Sequence, residues 1–117
     1  MLAENILTKP SATTIQQVIH LSDGSRLLDT PNITALCKDE SFIQTWNTSG
    51  WNLLSIDRDE KIAFFEADDS WLLAKLDLIT GEWTTDDDPL FMQYSLNEDS
   101  EGMYVMDEST EYRYYLK

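Results

Sequence analysis

Thr30-Pro31-Asn32-Ile33-Thr34-Ala35-Leu36-Cys37-Lys38-Asp39-Glu40-Ser41-Phe42-Ile43-Gln44-Thr45-Trp46-Asn47-Thr48-Ser49-Gly50 is the stretch on which the fold class turns. It opens with the clearest helix-start signal in the chain. The Thr30 side-chain oxygen can cap free backbone N–H groups, and Pro31 suits the first helical position, where no N–H is needed. Ile33, Leu36 and Cys37 then fall on one helical face. Phe42, Ile43 and Trp46 continue the stripe after a restart at Asp39, and Asn47-Thr48-Ser49-Gly50 closes it. The spacing predicts one helix of up to about four turns.

On the N-terminal side, residues 1–12 read as a flexible terminus. An Asp23-Gly24 pair between the apolar runs 15–21 and 26–28 predicts a hairpin, against a helical alternative in which Ile15, Val18 and Ile19 share a face. After Gly50 the texture changes to short apolar and aromatic runs separated by acidic or Gly-containing turns. Residues 51–56, 62–66, 71–78 and 82–84 read as strands, followed by 90–96, 103–106 and 112–116, although Pro89 could instead open a short helix at Leu90. These readings combine into an α+β fold in one domain: an antiparallel β-meander of about five to six strands packed against one main helix.

Composition then limits function. Hydrophobic residues make up 42% and aromatics 11% of the 117 residues, enough for a folded core despite a net charge of −14. Residues 1–37 hold three acids and two bases, so nearly all of the negative charge lies in residues 38–117. That sign opposes binding to nucleic acid or anionic membrane and favours basic proteins and divalent cations. Cys37 is the only cysteine, which excludes an internal disulfide and a cysteine-based zinc site. With no apolar leader or membrane-length run, a cytoplasmic location is expected. The sequons Asn32-Ile33-Thr34 and Asn47-Thr48-Ser49 read as coincidental in that setting.

The charge is concentrated further. Residues 76–112 contain eleven carboxylates and no Lys or Arg. Within this block and just after it, acidic turns that include Asp86-Asp87-Asp88, Glu98, Asp99 and Glu101 are interleaved with Trp83, Tyr94, Tyr104, Tyr112, Tyr114 and Tyr115, a pattern suited to replacing nucleic acid in a basic groove. Carboxylates take the place of phosphates, and aromatic faces take the place of bases. Those six acids are the expected charge contacts, and Trp83 and Tyr104 the expected anchors.

Asn97, Asp99, Glu101, Gly102 and Glu108 also stand at positions 1, 3, 5, 6 and 12 of a window that resembles the EF-hand calcium loop, which implies Asn97, Asp99, Glu101 and Glu108 as metal ligands. Asn at the first position, Glu at the fifth and strand-like flanks depart from the family pattern. Gly50-Trp51, Phe64-Phe65 and Trp71 resemble the two-Trp spacing of a WW domain, but the His, Thr and closing Pro of its groove have no counterparts, so these aromatics are assigned to packing.

His20 is the only histidine and reads as a structural residue, while Cys37 lies on an apolar face. No Gly-rich phosphate loop is present, and neither enzyme activity nor a cofactor is expected. The leading expectation is an acidic protein that occludes a basic partner, as nuclease-toxin immunity proteins and nucleic-acid mimics do. The alternatives are a calcium-responsive module and a structural or accessory subunit.

Overall fold

The computed structural model describes residues 15–85 and 93–117. Among the described residues there are eleven strands in three antiparallel sheets and no helix. The expected α+β fold, with one main helix and a single meander, is therefore incorrect. Among the described residues, no helix is long and apolar enough to cross a membrane. The chain divides into two compact units, Met1–Asn52 and Leu53–Lys117.

The first unit holds one sheet in sequential order: β1 (Gln17–His20), β2 (Arg26–Asp29), β3 (Ile33–Lys38) and β4 (Ser41–Asn47). The hairpin between β1 and β2 turns at Asp23-Gly24, where Asp23 Oδ1 accepts from Ser25 N at 2.9 Å and from Ser25 Oγ at 2.5 Å. The supposed helix is the pair β3–β4, with Lys38 opposite Ser41 and Asp39 in the left-handed region (φ 59°) at the turn.

Two physical causes misled the helical reading. First, Thr34, Ala35 and Cys37 are all buried, so β3 is covered on both faces and its two-residue alternation disappears into an apolar run compatible with either period. The β-branched and aromatic residues Ile33, Thr34, Phe42, Ile43, Thr45 and Trp46 then favour the extended form. Second, the Thr30 hydroxyl does accept from Ile33 N at 3.0 Å, as a cap would, but it also donates to Ile33 O at 2.7 Å. With Thr30 N donating to the same carbonyl at 2.9 Å, the motif closes the β2–β3 hairpin instead of starting a helix.

The second unit carries two sheets. One has the order β5 (Trp51–Ile56), β6 (Ile62–Ala67), β7 (Leu73–Asp77), β8 (Trp83–Thr85); the other places β10 (Gly102–Asp107) between β9 (Tyr94–Asp99) and β11 (Tyr112–Tyr115). Ala63, Phe64 and Phe65 are all fully buried, so β6 is covered on both faces. Phe64, Leu73, Tyr94, Val105 and Leu116 form the core between the sheets, with Leu54, Ile62 and Tyr114 packed against it. The Phe64 ring lies 5.2 Å from Tyr114 and 6.5 Å from Tyr94. Lys75 enters this region from β7, its Nζ 5.9 Å from the Tyr94 ring centre and 5.6 Å from that of Tyr114. The C-terminal strand ties the sheets at one corner: Asp57 bridges Leu116, Arg58 N donates to Tyr115 O and Lys117 N donates to Ile56 O, both at 2.9 Å.

Edge strands carry exposed apolar side chains. Val18 on β1, Ile43 on β4, Leu96 on β9 and Tyr112 on β11 are all exposed.

Candidate functional site

The described acids of the 76–112 block play two different roles. Asp at strand ends closes turns. Asp77 Oδ1 accepts from Ile79 N at 2.8 Å and Thr80 N at 3.0 Å, Asp99 Oδ1 from Glu101 N at 2.8 Å, and Asp107 Oδ1 from Ser109 N at 3.0 Å and Ser109 Oγ at 2.7 Å. Backbone donors from Thr80 and Ile79 hold the Asp77 carboxyl below the usual range. Burial pushes Asp107 upward, but hydrogen bonds from Ser109 and Gln93 outweigh it and leave that carboxyl lowered too. Glu82, Glu98, Glu101, Glu108 and Glu111 remain exposed or partly exposed.

These carboxylates do not share one surface. The turn containing Glu101 joins β9 to β10, whereas Glu108 and Glu111 lie in the turn from β10 to β11 at the other end of the sheet. The six residues of β10 separate them by about 17 Å. The same geometry opens out the calcium-like window. Asn97 pairs with Tyr104 and Asp99 with Gly102 in a tight hairpin, while Glu108 lies past the far end of β10, accepting from Ser95 Oγ at 2.5 Å. Among the described residues, no group of three or more His, Cys, Asp or Glu is placed to hold a metal ion.

The other expected contacts are also redistributed. Asp86, Asp87 and Asp88 lie outside the described residues. Trp83 is half-buried with its ring 5.2 Å from Phe65, and Tyr104 is buried with only 7% exposure. Tyr104 packs 5.2 Å from Tyr115, and the Arg113 guanidinium covers it at 4.7 Å. Arg58 covers Tyr115 at 5.1 Å and also donates to Glu101 O. Arg113 and the Tyr115 hydroxyl both reach Asp99 Oδ2, at 3.0 Å and 2.5 Å. Asp99 is thus half-buried and already neutralised by its own chain, while Glu98 and Glu101 stay exposed.

The residue that sequence reasoning missed is Trp71. It stands 85% exposed in the β6–β7 turn, although an indole buries a large apolar area when it packs. The turn is set by Glu66 opposite Leu73, by Ala67 N donating to Leu72 O at 3.0 Å and by Leu72 N donating to Ser70 Oγ at 3.4 Å. These contacts fix the backbone on both sides of the indole. Glu66, Ala67, Asp68, Asp69, Ser70, Trp71 and Leu72 line a hollow of 650 Å³. A second hollow of 320 Å³ shares Glu66 and Trp71 and runs on to Leu73, Tyr94, Ser95 and Leu96.

None of the described residues lining this double cleft is Lys or Arg. Lys75, two residues from Leu73, lies over the Tyr94 and Tyr114 rings instead. The cleft therefore combines an apolar wall, an open aromatic face and the three carboxylic side chains Glu66, Asp68 and Asp69, which suits a cation with an apolar stem. Asp68-Asp69-Ser70 reads in sequence as an ordinary link, and the signal available was the Trp directly after it.

Cys37 is buried in a small core with Leu28, Ala35 and Phe42, and burial pushes its thiol up, against the opposing charge of Arg26. It is a packing residue rather than a nucleophile. The chain matches no family model, no curated protein and no solved structure.

Proposed function

We propose that this chain binds a basic protein and, by filling the groove in which that protein holds an anionic substrate, blocks it. The observation that carries the reading is the cleft around Trp71, where an open indole stands beside Glu66, Asp68 and Asp69 with no lining base among the described residues. Exposed Glu98 and Glu101 add negative charge on the neighbouring sheet, and the net charge of −14 favours fast, salt-sensitive encounter with a positive surface. Nucleic-acid-binding proteins, nuclease toxins included, are the partner class with such grooves. A binding role without catalysis, in the cytoplasm, completes this reading.

The test is competition. A basic nuclease immobilised at low salt is offered the chain in the presence and absence of duplex DNA. Capture that DNA displaces, that declines steeply with added salt and that Asp68→Lys/Asp69→Lys weakens at least about tenfold supports occlusion. Absence of capture by any of a panel of basic nucleic-acid-binding proteins would overturn the proposal, as would capture indifferent to the charge reversal.

A further inference from the structure

We infer that the Trp71 cleft recognises arginine in preference to lysine on an extended segment of the partner, an inference that rests on the basic-partner reading above. The preference follows from shape. A guanidinium is planar, so it can lie flat on the indole while its N–H groups point outward in its own plane. Glu66, near the end of β6, and Asp68 and Asp69, in the turn that follows, line the same hollow as that ring and offer acceptors at its rim. Two-pronged contact with carboxylates is the geometry in which guanidinium exceeds ammonium. A lysine ammonium is a compact, strongly hydrated point charge that must shed water to approach the ring and has no plane to match it.

The apolar residues fit the remainder of such a side chain. Leu72 lines one hollow with Trp71, and the exposed Leu96 lines the other, giving the methylene stem a surface to cover. Because Glu66 and Trp71 belong to both hollows, a segment laid across them places two neighbouring side chains against the same indole. An extended segment presents such same-face side chains about 6.6 Å apart.

The experiment uses two capped peptides of equal length and charge, one alternating Gly with Arg and the other Gly with Lys. Each is titrated calorimetrically at low salt into the full chain and into Trp71→Leu, Trp71→Phe and Glu66→Gln. The arginine peptide is expected to bind about threefold or more tightly than the lysine peptide. Trp71→Leu should abolish that preference, Trp71→Phe should keep part of it, and Glu66→Gln should weaken both peptides. Because Trp71 is so exposed, unchanged melting temperatures should accompany the Trp71 variants. Equal affinity for the two peptides overturns arginine selectivity while leaving the basic-partner reading standing, as does a preference that survives Trp71→Leu. Failure of both peptides to bind overturns both.

Discussion

The Tyr115 hydroxyl donates to Asp99 Oδ2 at 2.5 Å, linking β11 to β9 across the middle strand β10. This bond, then the Glu101 amide and the Arg113 charge, hold the Asp99 carboxyl below its ordinary value. A carboxyl lowered by folding stabilises the protein above its unfolded value, near 3.8, and the contribution fades as pH falls through the lower folded value. Tyr115→Phe should therefore lower the melting temperature at neutral pH. The gap from the parent protein should close in strongly acidic solution, and a gap independent of pH would show that the bond does not set this carboxyl.

Asp107 is buried and receives Ser109 N, Ser109 Oγ and Gln93 Nε2, so its removal strands several donors at the β10–β11 turn. Asp107→Ala should cost about 2–4 kcal/mol in urea unfolding. Asp107→Asn, which keeps an acceptor, should cost less.

Gly102 has φ +122°, and a Cβ there would meet Arg58 Nη2 at 3.0 Å, whereas Gly24 (φ +89°) has open space around it. Both changes to Ala strain the backbone, but only Gly102→Ala also displaces the Arg58 contact with Glu101 O. The expected order is Gly102→Ala below Gly24→Ala in stability, separated by about 1 kcal/mol, measured by chemical denaturation.

Phe64 is fully buried against Tyr94 and Tyr114 at the centre of the second unit. Phe64→Ala should cost about 3–5 kcal/mol, while Trp71→Ala, at an exposed position, should stay within about 0.5 kcal/mol. A scan in which the two were comparable would contradict the stated burial.

With Asp99 and Glu108 at opposite ends of β10, calcium has no closed set of ligands in the 97–108 window. Calcium and magnesium at equal ionic strength should raise the melting temperature equally, by screening alone, and Glu108→Gln should leave that response unchanged. A calcium-specific rise lost in Glu108→Gln would restore the loop.

Much of the second unit is legible in the amino-acid sequence alone. Residues 51–56 are β5, and each of the runs 62–66, 71–78, 82–84, 103–106 and 112–116 contains or overlaps a strand, because their turns carry Asp, Gly or Ser and keep them short. The same signals place the Asp23-Gly24 hairpin. The β3–β4 pair is illegible because Thr34, Ala35 and Cys37 hide its period and Thr30 makes the same cap-like bond in a hairpin as it would in a helix. At the site, the charge count is visible but not its division. Asp99 and Asp107 are each consumed partly by a turn amide two residues on and partly by side chains distant in sequence, Arg113 and Tyr115 for Asp99 and Gln93 for Asp107, and the distant share is not readable from the sequence. The two Trp are indistinguishable for a similar reason: Trp83 and Trp71 have similar acidic surroundings in sequence, yet one packs on Phe65 and the other stands open to solvent.

Edge strands bearing Val18, Ile43, Leu96 and Tyr112 are ready templates for pairing between copies of the chain. At −14, two approaching copies repel one another before any backbone groups can meet, over a range of about 10 Å in roughly 0.1 M salt. Acidity thus serves as a colloidal barrier as well as the proposed recognition signal, and anything that screens or protonates it turns the sheet edges towards aggregation.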